Sequence, residues 1–184
     1  MMANVMEKTL SQAIAQRRAT PSFDGSRLPD EDLKKILEAG LQAPSGYNMQ
    51  PWRFVVVQDD ETKRLLAQAC PKGRPVAEAP VVVVAFSVEE DIPVTIGGYM
   101  SAYPLDVAVA VGHLQLAATA EGLGTSWIVD FHADKVRTVL GVPEGIHPLA
   151  IIPVGFPAEN GGTLAPAEGR KSPDEIIAYN QFAW

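Results

Sequence analysis

Two groups of polar residues are candidates for chemistry, and the first lies in a short turn-rich segment. The stretch APSGYNMQPW, residues 43–52, places two side-chain amides, Asn48 and Gln50, and the hydroxyl of Ser45 between two prolines. Amides carry both hydrogen-bond donors and acceptors, and a turn-rich segment that concentrates them is one candidate for ligand binding. The alternative is a helix-to-strand connection whose amides cap nearby backbone groups.

The second group is a set of cations near the two ends of the chain. Arg17 and Arg18 end a helical pattern, and Arg170 and Lys171 occur in GRKSPDE. Cations at a helix C-terminus interact favourably with the helix dipole, which is one account of the first pair. The other account is that the two pairs converge and bind one phosphate by charge-assisted hydrogen bonds.

Common catalytic motifs are absent from the sequence. No GxxxxGK[ST] or strand-following GxGxxG occurs, because GLG at residues 122–124 precedes a predicted strand. His113, His132 and His147 lie on separate elements, so no metal-ligand spacing is present. Ser45 lacks the GxSxG context of a hydrolase nucleophile.

Composition narrows the class of protein. The chain has 184 residues, 47% of them hydrophobic, which predicts one globular domain over residues 1–184. A net charge of -7 disfavours nucleic acid and anionic membranes as partners. The lone Cys70 fits a reducing compartment, and Glu7 and Lys8 stand where a signal peptide needs its apolar run. The longest apolar runs are shorter than the roughly 20 residues of a membrane span, so we expect a soluble cytoplasmic protein.

Hydrophobic patterns predict alternating helices and strands. The predicted helices cover residues 4–17, 29–41, 59–70, 105–121 and 132–141. The predicted strands cover residues 52–57, 80–87 and 147–156, with a further strand within residues 124–131. The valine-rich strand at residues 80–87 is expected to be buried on both faces.

Three features lie outside this regular pattern. Residues 88–104 have little periodicity and form a candidate lid. The helix at residues 105–121 is apolar on nearly every face, so it is buried inside the domain or against a second subunit. The C-terminal segment, residues 165–184, carries Tyr179, Phe182 and Trp184 and is expected to dock on a partner chain.

The order and spacing of several motifs resemble the FMN-dependent nitroreductase family over almost the whole chain. They are RRATPSFDGSRLPDEDLKKILEAGLQAPSGYNMQPWRFVVV, LQLAATAEGLGTSWIVDF, AIIPVGFP and GRKSPDEII. The APSxxNxQPW pattern with its upstream arginine pair is the specific part. The resemblance implies an α+β fold, with a mixed, mostly antiparallel sheet flanked by helices in three layers, and an interlocked homodimer with an FMN in each of two interfacial sites.

The resemblance also assigns roles to individual residues. Arg17, Arg18 and Ala19 would meet the flavin phosphate and ring edge, with Arg170 and Lys171 on the phosphate. Pro44, Ser45 and Gly46 would pack on the ring from the other subunit. Asn48 would bond the polar edge of the ring, and Gln50 would bond nearby or fix the loop. The backbone of Val129 and Asp130 would approach flavin N5.

The activity implied by the resemblance is a two-step oxidoreduction. NADPH or NADH would pass a hydride to flavin N5, and a small electron-poor acceptor, such as a nitroaromatic or a quinone, would then be reduced in the same place. No acid-base residue of the protein is required. In the candidate lid, the residues that would contact the acceptor are Tyr99, Met100 and Tyr103, although they could instead cover the core or the subunit interface.

Two departures from the family pattern leave alternatives open. Ala19 stands where Ser is common, which removes one hydrogen bond to the cofactor. Val129 and Asp130 stand where Gly is frequent, and a carboxylate beside N5 disfavours the anionic reduced flavin unless it points away. The alternatives are a specialised flavin enzyme on the same fold, either a dehalogenase or a flavin-fragmenting enzyme, and a flavin-binding protein without catalysis.

Overall fold

The structure, a computed structural model, describes residues 8–88, 94–159 and 170–182. Its strands are β1 (Trp52–Val57), β2 (Val81–Val88), β3 (Thr95–Ile96), β4 (Met100–Ser101), β5 (Gly124–Thr125) and β6 (Ile146–Gly155). Its helices are α1 (Leu10–Gln16), α2 (Asp30–Leu41), α3 (Asp60–Gln68), α4 (Arg74–Glu78), α5 (Tyr103–Ala120), α6 (Ala133–Leu140) and α7 (Pro173–Ile176), with a 3₁₀ turn at Gly46–Asn48. None of the described helices combines the length and hydropathy that crossing a bilayer requires.

The main sheet has the strand order β1-β2-β6-β5, and each neighbouring pair is antiparallel. A single parallel bridge joins Ala19 to Thr125 beyond β5. The sheet is therefore mixed and mostly antiparallel. A separate hairpin is formed by β3 and β4.

Alternate residues of β2 face two different helical layers. Val81 and Val83 belong to the core shared with α2 and α5, whereas Val82 and Val84 belong to the core shared with α3, α4 and α6. A strand covered on both faces has no polar side to show, which is why its sequence is a run of valines. These layers confirm the predicted α+β fold with helices flanking the sheet.

The first helix begins later than predicted. The prediction started at residue 4, but the described helix starts at Leu10, after the capping residue Thr9. The Thr9 hydroxyl accepts from the Gln12 N–H at 3.3 Å, and the Gln12 side-chain oxygen accepts from the Thr9 N–H at 2.9 Å. The apolar spacing alone extends the predicted helix back to residue 4, but the capping box fixes the start of the helix at Leu10. Residues 4–7 lie outside the described part of the chain.

The strand predicted within residues 124–131 is much shorter in the structure. Only Gly124–Thr125 forms a ladder with β6, and Ile128 rejoins it through one bridge to Ile151. Between them, the Ser126 N–H reaches the Pro153 carbonyl at 3.4 Å. Because Pro153 has no N–H to return a bond, the ladder is interrupted there.

Helix α5 is not buried all round within one chain. The side chains of Leu105 and Val109 are 49% and 40% exposed. Burial inside the domain therefore does not account for its apolar outer face, and burial against a second copy stays a prediction. The helix begins at Tyr103, with Pro104 in its first turn.

Helix α4 was absent from the sequence prediction. It has only five residues, so periodicity cannot reveal it. The signal that was available is Pro75 in its first turn, two residues after Gly73.

The candidate lid and the C-terminal segment are only partly described. Within residues 88–104 the hairpin turns at Gly97 and Gly98, both with positive φ, while residues 89–93 lie outside the described part. Of residues 165–184, only 170–182 are described, and α7 has no buried residue. The lid, the docking arm and the single domain over residues 1–184 stay predictions.

Candidate functional site

Arg18 follows α1 and caps its C-terminus. Its Nη1 donates to the carbonyls of Ala15 and Arg17, both at 2.8 Å, and so satisfies two carbonyls that the helix leaves open. The helix-capping account of this arginine is therefore correct as far as Nη1 is concerned. Its Nε, however, is buried without a hydrogen-bond partner among the described residues. A buried donor left unpaired is costly, which marks Nε as a donor in need of an acceptor.

Arg17 and Arg170 are brought together although they are far apart in sequence. Burial lowers the pKa of Arg17, and the charges of Arg170 and then Arg18 lower it further. Within the described residues, none of these arginines forms an ion pair with an acidic side chain. Lys171 follows Arg170 and is exposed. Clustered cations without a counter-charge are the chemistry of an anion site.

The arginine segment lies beside the stretch that follows β5. The Ala19 bridge to Thr125 and the Thr20 N–H, which donates to the Thr125 carbonyl at 2.9 Å, fix the two stretches side by side. Val129 and Asp130 come a few residues later and are exposed, Val129 by 61%. The arginine cluster and the predicted N5 segment therefore share one edge of the sheet.

The amide-rich segment forms a strained turn before β1. Tyr47, Asn48 and Gln50 all have positive φ, at 49°, 58° and 50°. Such conformations cost about 1 kcal/mol or more for non-glycine residues and cluster at functional sites. The turn is held by the Ser45 hydroxyl, which accepts from the Gln50 N–H at 3.0 Å, and by Gln50 Nε2, which donates to the Asn48 carbonyl at 3.1 Å.

These bonds separate the roles of the side chains in the turn. The Gln50 amide is used to fix the loop. The Asn48 side chain is exposed, as is Pro44, and both are accessible at the surface of the turn.

Gly46 attaches this turn to the start of α5. Its N–H donates to Asp106 Oδ2 at 3.2 Å. A Cβ at this position would lie 2.8 Å from Cγ1 of Val94, so a larger residue would push the turn away. The sequence reading missed Asp106, and the acidic residue in the first turn of an apolar helix is the only signal that was present.

One chain does not bring the two parts of the predicted site together. The amide-rich turn adjoins β1, and the arginine segment adjoins β5, at the opposite edge of the sheet. Three strand spacings separate these edges, or roughly 14 Å. The two halves therefore lie apart in one chain, and the interfacial site that the resemblance implies would join them across two copies.

The three predicted acceptor contacts are placed differently from one another. Tyr99, at the hairpin turn, is 79% exposed, and Met100 is also exposed. Tyr103 is 2% exposed and packs with Val94 and Ala102. Its burial argues against direct contact with a ligand.

A buried polar network between the arginine segment and α5 was not predicted. Ser126 bonds both backbone groups of Thr20, and Gln115 Nε2 donates to Thr125 Oγ1 at 3.2 Å. Gln115 is a buried polar residue within a largely apolar helix, which is a sequence signal for such a partner. No group of three or more His, Cys, Asp or Glu side chains in the described ranges is arranged to hold a metal ion.

Comparison with known proteins gives a consistent result. The model of the family described as Nitroreductase family matches residues 14–90 and 71–156. An NADH dehydrogenase of Thermus thermophilus is 33% identical over 190 residues, covering 85% of this chain and 93% of that protein.

Solved structures share the fold. An FMN-dependent nitroreductase from Clostridium difficile R20291 has a TM-score of 0.78 and 26% identity, covering 92% of this chain and 98% of its own. An oxidized iodotyrosine deiodinase bound to FMN and 3-iodo-L-tyrosine has a TM-score of 0.77 and 25% identity, covering 95% of this chain and 100% of its own.

Proposed function

The chain belongs to the nitroreductase family, and from that premise we propose that it is an FMN-dependent oxidoreductase that uses NADPH or NADH to reduce a small electron-poor acceptor. Nitroaromatics and quinones are the acceptor classes we expect. The observation that carries the proposal is the cluster of Arg17, Arg18 and Arg170 at the edge of the sheet, with a buried Arg18 Nε that lacks a partner among the described residues.

The chemistry of the cluster fits the phosphate of FMN. A phosphate dianion offers several acceptor oxygens, so it can take charge-assisted bonds from more than one guanidinium. Arg17 and Arg170 supply charge that has no acidic partner in the described part of the chain, and Arg18 Nε supplies a preformed donor. Lys171 would add a second cation beside Arg170 at the exposed side of the cluster. Ala19 would contact the cofactor through its backbone only, because alanine has no hydroxyl.

The amide-rich turn fits the flavin ring. Pro44, Ser45 and Gly46 present little side-chain bulk, and the exposed amide of Asn48 provides both a donor and an acceptor for the polar edge of the ring. Gln50 supports the turn through its bond to the Asn48 carbonyl. A turn that is already held in a strained conformation loses little entropy on binding.

We propose that the site is shared by a homodimer, which would bring together two halves that lie at opposite edges of one chain. Apolar surface supports it. Leu10 is 68% exposed beside a groove of about 500 Å³ between α1, α2 and α5, and the outer face of α5 is open at Leu105 and Val109. The C-terminal segment, whose Tyr179 and Phe182 are exposed, would dock on the other copy.

The protein contributes binding, orientation and exclusion of water. FMN, when bound, supplies the ability to accept and donate a hydride. The arginine cluster fixes one end of the cofactor, and the turn fixes the ring, while the backbone at Val129 and Asp130 borders the reactive side. Tyr99 and Met100 of the hairpin are exposed, and in this proposal they would cover the acceptor. The proposed reaction assigns no side chain an acid-base role. The cytoplasmic location of the protein stays a prediction.

The experiment that tests the proposal is the visible absorption spectrum of the purified protein with FMN, recorded anaerobically after NADPH and then NADH. We expect a bound flavin band that one or both nucleotides bleach and that a nitroaromatic or quinone restores. A bound flavin that neither nucleotide reduces would indicate a flavin-binding protein without this activity. Absence of flavin binding would overturn the proposal.

A second candidate is reductive dehalogenation of an aromatic substrate. Similarity to the iodotyrosine deiodinase structure over 95% of this chain favours it over other specialised flavin reactions. An acceptor panel that includes a halogenated phenol separates the two, because released halide identifies the second activity and a reduced nitro group or quinone identifies the first.

A further inference from the structure

The hydroxyl of Ser126 makes an unusual pair of hydrogen bonds across the chain. Its Oγ accepts from the Thr20 N–H at 3.0 Å and donates to the Thr20 carbonyl at 2.7 Å. Both residues are buried, and they are 106 positions apart in sequence. Because a buried hydroxyl is costly unless it is bonded, this pairing fixes one geometry between the two segments.

The surroundings of Ser126 leave the Thr20 segment little freedom. The Thr20 N–H also donates to the Thr125 carbonyl, and the Thr125 side chain is held by Gln115 from α5. At Gly124, an added Cβ would collide with the Thr20 side chain, so this side chain packs directly on the Gly124 backbone. The Thr20 carbonyl has Ser126 as its hydrogen-bond partner in this arrangement.

The two segments joined by this hydroxyl are those assigned to opposite parts of the cofactor. Arg17 and Arg18 precede the bonded Thr20 by three and two residues, and Val129 and Asp130 follow Ser126 by three and four residues. A shift of Thr20 along β5 would therefore move the arginines relative to the stretch that borders the reactive side of the flavin.

We propose that Ser126 is a positioning residue of the flavin site, whose hydroxyl holds the backbone of Thr20, and with it Arg17 and Arg18, in register with residues 127–130. This inference rests on the proposed function. Ser126 is not assigned any contact with the cofactor or the substrate. It acts through the arginine segment, so its effect concerns the phosphate end of the ligand.

The test compares Ser126→Ala with Ser87→Ala in the full chain. Ser87 is a matched control, because it is also a buried serine, its Oγ has no hydrogen-bond partner among the described residues, and it lies on β2. Dissociation constants are measured for FMN and for riboflavin, which lacks the phosphate. For Ser126→Ala we expect FMN binding to weaken by about fivefold to tenfold, the scale of a lost hydrogen bond, with riboflavin binding nearly unchanged. Ser87→Ala should leave both constants unchanged.

The outcomes separate this inference from the proposed function. If the native protein binds no flavin, the proposed function fails first. If it binds FMN and Ser126→Ala keeps the native preference for FMN over riboflavin, or loses affinity for both equally, the positioning role is wrong and the function stands. Should Ser126→Ala not fold, Ser126→Cys keeps a weaker donor in the same place, and a partial loss of the FMN preference is then the expected result.

Discussion

At the scale of single residues, the three arginines have separable tasks. Arg18 Nη1 caps the end of α1, while its buried Nε has no hydrogen-bond partner in the described part of the chain, and Arg17 lies near the charge of Arg170. The sequence predicted the convergence of Arg17 with Arg170 as one of two readings, and the structure places them near each other. The sequence could not predict which nitrogen of Arg18 caps the helix and which stays unpaired among the described residues, because helix capping and ligand binding use the same residue type.

Charge removal at the arginine cluster should act on phosphate recognition. We expect Arg17→Ala and Arg170→Ala each to weaken FMN binding by about tenfold or more, since hydrogen bonds to charged groups contribute about 1.5 to 3 kcal/mol. Riboflavin binding should change little. Flavin fluorescence titration measures both constants.

Arg64→Ala is the control for this pair, because Arg64 is an exposed arginine bonded to Glu61 on α3. It should bind FMN as the native protein does. Native FMN affinity in both cluster variants would remove the arginines from the site.

At the scale of elements, predictions succeeded where a pattern had enough length. β1 and β2 were predicted to within one residue at each end, because runs of valine between turn residues mark a strand. The length of β5 was predicted wrongly and α4 was missed, because elements of two and five residues show no periodicity. The end of β5 depends on Pro153, and the start of α4 depends on Pro75. Ser126, Gln115 and Asp106 were missed because their partners are distant in sequence.

Glu78 at the end of α4 should make the stability of the fold depend on pH. Its carboxylate accepts from Arg74 Nε at 2.6 Å and from the Ser22 hydroxyl at 2.8 Å. Burial raises the pKa of Glu78, but the bonds from Arg74, Ser22 and the Phe23 N–H outweigh it and hold the pKa below the ordinary value of 4.5. The folded state therefore binds the proton less readily than the unfolded state. This contribution is present above the ordinary pKa and is lost as pH falls through the lower folded value.

The measurement is urea unfolding of Glu78→Gln and the native protein across this range. At about pH 7 the variant should have a free energy of unfolding lower by about 1 kcal/mol, because it loses a charge-assisted bond. The difference should shrink towards about pH 3. Glu61→Gln, in an exposed ion pair, should differ little from the native protein at any pH. A pH-independent difference for Glu78→Gln would contradict the assignment.

At the scale of the whole molecule, one chain exposes apolar side chains on the outer face of α5 that packing against a second copy would bury. The outer face of α5 is open at Leu105 and Val109, and Gly112 lies one turn further along the helix. An added Cβ at Gly112 would meet nothing within 4 Å of this chain. A glycine inside a helix is destabilising relative to alanine unless something approaches its backbone closely. We infer that a second copy does so.

Gly112→Ala should therefore have opposite effects on the chain and on the assembly. The folded monomer should gain about 0.5 to 1 kcal/mol from helix propensity, whereas the dimer should dissociate at higher protein concentration because the added methyl holds the helices apart. Light scattering over a dilution series measures the second effect.

The control is Ala108→Gly, the reverse change on the same helix. Gly145→Ala would not serve as a control, because Gly145 has positive φ and alanine would be strained there. It should destabilise the chain without blocking close approach of a partner. A stable native monomer that retains FMN would contradict the shared site altogether.

The placement of the two half-sites at opposite edges of the sheet has a genetic consequence. In a symmetric pair, each pocket would take its arginines from one chain and its amide-rich turn from the other. A chain defective only in the arginines and a chain defective only in the turn would each be inactive alone. Combined, they would form mixed pairs in which one pocket carries both defects and the other carries neither. Random pairing of equal amounts would restore about a quarter of the pockets, so two inactive alleles could complement each other.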